Sequence, residues 1–83
     1  VLDASRAPFY RWFAGAELNA CHNCLDRHVA DGRGEQTALI YDSPVTGTVR
    51  RFSYAELLAR TARVAGGLRA LGVGKGDRVI VYM

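Results

Sequence analysis

The chain has 83 residues, which allows one domain at most, and 49% of them are apolar, too many for a disordered tail. Its formal charge of +3 comes from scattered arginines with one adjacent pair, Arg50-Arg51, and not from the basic stripe with aromatic neighbours that marks a nucleic-acid binder. No apolar run approaches the roughly 20 residues of a membrane helix, none has the apolar core of a signal peptide, and two cysteines three positions apart make no disulfide framework.

Val1 to Ala7 read as a linker or frayed arm. Pro8 to Phe13 then gathers Phe9, Tyr10, Trp12 and Phe13, four of the chain's eight aromatics, in one short segment. Such a segment is expected to anchor the arm by burying its rings against a neighbouring surface. Asn19 is placed to cap a helix, with Leu18 ahead of it closing over the first turn. Cys21, Leu25 and Val29, flanked by Cys24 and His28, recur at helical spacing and predict an amphipathic helix of about three turns. Asp31-Gly32-Arg33-Gly34 ends it, with Gly32 in the left-handed position just past the last turn.

Thr37 to Tyr41 and Thr48 to Phe52 predict the two strands of a β-hairpin. The connection Asp42-Ser43-Pro44-Val45-Thr46-Gly47 opens on Ser-Pro and closes on Gly, which is turn chemistry at both ends. Ser53-Tyr54-Ala55-Glu56 is a capping box, with Phe52 and Leu57 as its hydrophobic staple. Leu57, Thr61, Val64, Ala65, Leu68 and Leu71 then keep a helical period as far as Gly72. Arg60 and Arg63 stand at spacings from Glu56 that favour ion pairs of about 0.3 kcal/mol each. Gly66-Gly67 runs against this pattern, at about 1 kcal/mol per glycine relative to alanine, and implies close approach of another element.

After the loop Gly72 to Asp77 comes Arg78-Val79-Ile80-Val81-Tyr82-Met83, apolar after its first residue. That is the pattern of a parallel strand covered on both faces. The elements that would cover it are not in the chain, so the sequence is expected to be part of a larger protein. The fold class is α/β and partial: arm and helix, hairpin, amphipathic helix, and the start of a buried strand.

Four motifs invite chemistry, and each has a plainer reading. Cys21, Cys24 and His28 share a helical face, but the fourth zinc ligand would have to be His22, which points well away from it. The two cysteines read instead as small buried hydrophobes and His28 as a hydrogen-bonded residue near the helix end. Gly72-Val73-Gly74-Lys75-Gly76-Asp77 resembles a phosphate loop only superficially, because a Walker loop lies between a strand and a following helix and here the order is reversed. It reads as a helix C-cap followed by a turn. Asp26, Arg27 and His28 diverge by about 100° each around a helix and do not converge on one substrate atom. Arg50-Arg51 alternate across a strand and read as a solvated edge.

Trp12-Phe13-Ala14-Gly15-Ala16-Glu17-Leu18-Asn19, the following Ala20 to His28 with its Leu25-Asp26-Arg27-His28 ending, and Ala38 to Gly47 together carry a family likeness. The chain resembles the amino-terminal region of AMP-forming short-chain acyl-CoA synthetases of the propionate and acetate types, the propionate type more closely. The resemblance runs from about Pro8 to Met83. It implies that residues 1–36 are an N-terminal arm and lead-in helix, and that residues 37–83 begin a large adenylate-forming domain. It also implies a whole enzyme that activates propionate or acetate with ATP and Mg2+ to an acyl-adenylate and transfers the acyl group to coenzyme A. The family's phosphate loop, nucleotide contacts, acyl pocket and catalytic lysine fall beyond Met83, so no catalytic, cofactor-binding or metal residue is assigned here and this chain alone is expected to be inactive. A cytoplasmic location is expected, or the mitochondrial matrix in a eukaryote, with no nucleic-acid or membrane partner. One departure is visible, since the family's adjacent glycines before Glu-Leu-Asn are Gly15-Ala16 here; if the second needs positive φ, Ala16 strains the turn. Two other readings stay open: a stand-alone structural or interaction module that kept the scaffold without the chemistry, and a metal-binding helix–hairpin module built on Cys21 and Cys24.

Overall fold

The computed structural model describes every residue from Val1 to Met83. Its first feature is a small antiparallel pair of β1 (Leu2–Asp3) and β2 (Arg11–Trp12), with Leu2 opposite Trp12 and Asp3 opposite Arg11. The expected frayed arm is therefore tied down, and the Phe13 N–H donating to the Val1 carbonyl at 2.6 Å extends the pairing. Phe13 takes φ 50 and Gly15 φ 80 in the turn that follows. Ala16 is not among the positive-φ residues, so the alanine in place of a second glycine meets no left-handed strain.

Helix α1 covers residues 20–33 and is wider than a regular α-helix over two stretches, His22–Asp26 and Val29–Arg33, which are π-helical turns. Asn19 caps it as expected, its side-chain oxygen accepting the His22 N–H at 3.0 Å. Gly32, at φ 84, interrupts the helical dihedrals where the sequence placed the stop. Leu25 is the one residue of the whole chain that is buried.

Strands β3 (Thr37–Ser43) and β4 (Thr48–Ser53) form the hairpin, each starting where expected and running two residues and one residue further, respectively. Ile40 faces Arg51 and Ser43 faces Thr48, and the ladder is irregular between Thr37 and Leu39. Helix α2 (Tyr54–Ala70) follows without a gap. Its capping box is complete, and its far end is a Schellman motif: the Val73 N–H donates to the Leu68 carbonyl and the Gly72 N–H to that of Arg69, both at 3.0 Å. Gly72 reaches φ 90 there, a conformation that side chains resist.

Two expectations are corrected in this part of the chain. Val79–Met83 forms no strand: no partner strand reaches it, and Ile80, Tyr82 and Met83 are almost fully exposed. The two sheets that do form are both two-stranded and antiparallel. The close approach expected at Gly66 and Gly67 is also absent, since a Cβ at either would meet nothing within 4 Å.

The elements are thus well specified one by one and poorly covered together. The radius of gyration is 17.3 Å, where a compact chain of this length would have about 12 Å. The accessible surface is 7576 Å², against roughly 4,900 Å² for a compact protein of the same mass.

Candidate functional site

The most fully hydrogen-bonded polar region is the start of α2, where the chain accounts for every backbone donor. A helix begins with four N–H groups that lack intrahelical partners. Here the Ser53 N–H donates to Glu56 Oε2 at 2.9 Å and the Glu56 N–H to Ser53 Oγ at 3.2 Å. The Tyr54 N–H donates to the Gln36 carbonyl at 3.1 Å, and the Ala55 N–H to the Gly34 carbonyl at 2.9 Å. A phosphate at a helix N-terminus needs these donors free. At α2 they are all taken, and the carboxylate of Glu56 stands among them. This end of the helix is a structural joint between α1 and the hairpin. His28 adds to the joint by placing its ring 4.9 Å from that of Tyr54, tilted by 43°.

The glycine-rich segment after α2 closes on itself as a turn. The Asp77 N–H donates to the Gly74 carbonyl at 3.1 Å and the Gly74 N–H to the Asp77 carboxylate at 2.7 Å. A carboxylate occupies the position a bound phosphate would need, so the turn reading holds over the phosphate-loop reading.

The cysteines are not the buried pair that helical spacing suggests. Cys24 is exposed and Cys21 half-buried, because α1 has little packed against this face. The Cys21 thiol donates to Asp26 Oδ2 at 3.5 Å, a five-residue reach that matches the wider π-helical turn between them. Partial burial, then the Asp26 carboxylate, push the Cys21 thiol above its ordinary pKa, which disfavours the thiolate that metals bind. No three His, Cys, Asp or Glu side chains come together in a group that could hold a metal ion.

Arg50 and Arg60 find an unexpected partner. Their guanidinium carbons lie 5.2 and 4.8 Å from the centroid of the Phe52 ring. Arg50 is therefore more than a solvated edge residue, and Arg60 sits over Phe52 while the Glu56 carboxylate is engaged by the Ser53 N–H. The helical spacing of Arg60 from Glu56 pointed to an ion pair; Phe52, the last residue before the helix cap Ser53, supplies the competing aromatic face.

One surface recess exists, lined by Asp3, Ser5, Arg6, Phe9 and Arg11 on the β1–β2 hairpin. The Ser5 hydroxyl and the Ser5 N–H, the latter at 2.9 Å, hold the Asp3 carboxyl below its usual pKa. No pattern of residues signals this recess, because strands of two residues carry no readable alternation.

Comparison with known proteins interprets this arrangement. Residues 26–83 match the family described as AMP-binding enzyme, and residues 1–24 match the family described as acetyl-coenzyme A synthetase N-terminus. The chain belongs to the AMP-binding enzyme family. It is 55% identical to an acetyl-coenzyme A synthetase of Cupriavidus metallidurans and 57% identical to one of Burkholderia lata, in both cases over its full length. An uncharacterized protein of Pseudomonas aeruginosa is 66% identical over the same span. The chain covers 12–13% of the length of these relatives. The resemblance read from Trp12 to Asn19 and from Ala38 to Gly47 is thus shown. The side chains described above form caps, turns and a joint between α1, the hairpin and α2. No helix of the chain is long and apolar enough to cross a membrane.

Proposed function

We propose that this chain is the amino-terminal portion of an AMP-forming acyl-CoA synthetase acting on a short-chain carboxylate, propionate in preference to acetate. The observation that carries the reading is the pair of family matches lying end to end along the chain, 1–24 and 26–83, with 55–57% identity to acetyl-coenzyme A synthetases throughout. In the whole enzyme, ATP and the carboxylate would form an acyl-adenylate with release of pyrophosphate. The thiol of coenzyme A would then displace AMP to give the thioester. Mg2+ would neutralise phosphate charge in the first step.

The role of these 83 residues in that enzyme is scaffolding. Residues 1–36 form the lead-in arm and helix, and residues 37–83 open the adenylate-forming domain. The chain's own geometry supports this division of labour, because its one well-formed helix start is closed by protein groups and its glycine turn is closed by Asp77. The preference for propionate rests only on the likeness of the Trp12–Asn19 and Ala38–Gly47 motifs to the propionate type, the two named enzymes compared above being acetyl-coenzyme A synthetases, and the acyl pocket that would set it belongs to the rest of the enzyme. A cytoplasmic location goes with the same reading.

The test uses the full-length protein with ATP, Mg2+, coenzyme A and acetate, propionate or butyrate in parallel, following AMP release and thioester formation. AMP release dependent on both carboxylate and coenzyme A is expected, with the highest kcat/KM for propionate. A higher kcat/KM for acetate would overturn the preference alone. No AMP with any of the three acids would overturn the function.

A further inference from the structure

We draw no further inference here: the strongest candidate, the exposed aromatic face of the β1–β2 hairpin formed by Phe9, Tyr10, Trp12 and Phe13, is an unpartnered apolar surface and nothing in the structure shows what covers it.

Discussion

Ser53 and Glu56 satisfy each other's backbone, the Ser53 N–H donating to the Glu56 carboxylate at 2.9 Å and the Glu56 N–H to the Ser53 hydroxyl at 3.2 Å. This reciprocal pair sits where β4 ends and α2 begins, so it fixes the angle between hairpin and helix as well as starting the helix. Gly34 and Gln36 take the two remaining donors and bring the end of α1 to the same point.

Ser53→Ala in the full-length protein should therefore lower stability by about 1 kcal/mol, the usual cost of an N-cap acceptor. Ser53→Asp, which restores an acceptor at a helix N-terminus, should recover most of it. Denaturant unfolding of the three proteins measures the effect. Equal midpoints for wild type and Ser53→Ala would show that the cap contributes nothing there.

Leu68 is where the chain alone and the proposed whole enzyme should behave differently. It is only half-buried here, on an α2 stripe whose Val64 and Leu71 are exposed. In the full-length protein Leu68→Ala should cost about 2–5 kcal/mol, the range for truncating a packed leucine. In the 83-residue chain the same change should be small, because few contacts are there to lose. Paired denaturant melts decide it; a small effect in both would mean that α2 never docks on a core through this face.

What was legible in the sequence, and what was not, divides along the range of the interactions. The Asn19 cap, the Ser53–Glu56 box and the Gly32 and Gly72 stops are all set within a few residues, and the structure reproduces them, whereas the hairpin expected to part after Tyr41 stays paired as far as Ser43. Several of the readings that failed needed a distant partner. The buried cysteines, the covered Val79–Met83 strand and the close approach at Gly66-Gly67 each assume a neighbour that this chain does not supply. The Arg60–Phe52 contact was missed although Phe52 was placed beside the helix start as a staple, because the staple pairs its ring with Leu57 and does not show that Arg60 also reaches it. For the candidate site, the likeness to acyl-CoA synthetases was readable from short motifs, whereas the Asp3–Arg11 recess depends on strand pairing too short to leave a pattern.

The thiols should differ in reactivity along a predictable pH axis. Cys24 is exposed, whereas Cys21 is half-buried and held above its ordinary pKa by that burial and by Asp26. A raised pKa leaves less thiolate at neutral pH, so alkylation of Cys21 by iodoacetamide should be slow near pH 7 and rise only at higher pH than an ordinary thiol requires. Asp26→Asn removes the neighbouring negative charge and should speed alkylation of Cys21 at neutral pH. Mass spectrometry of labelled peptides across pH 6–10 reads both sites. Faster labelling of Cys21 than of Cys24 at pH 7 would contradict the assignment.

With ATP, Mg2+, propionate and coenzyme A, the 83-residue chain by itself should release no AMP above a protein-free control. The donors at the start of α2 are already taken by protein groups, and in the Gly74–Asp77 turn the Gly74 and Asp77 N–H groups are taken and a carboxylate stands beside them, which disfavours a phosphate. Calorimetric titration with ATP should likewise show no binding. AMP formation, or saturable ATP binding, would place nucleotide chemistry in these residues and overturn the scaffolding role.

The isolated chain should also associate with itself. Ile80, Tyr82 and Met83 are 90%, 99% and 107% exposed, and Trp12 and Phe13 stay largely open at the other end of the chain. Apolar surface of this extent, together with the free edges of two-stranded sheets, favours intermolecular contact over a dispersed monomer. Light scattering should report species larger than a monomer at micromolar concentration, and an apolar dye should gain fluorescence on binding. In the full-length protein the same residues should be covered, and the dye signal per molecule should fall. Replacing Ile80 and Tyr82 by serine in the 83-residue chain should reduce both association and dye binding, because it removes apolar area where no packing is lost. A dispersed monomer that binds no dye would mean that the 83 residues cover these surfaces among themselves, and the dependence on a larger domain would have to be abandoned.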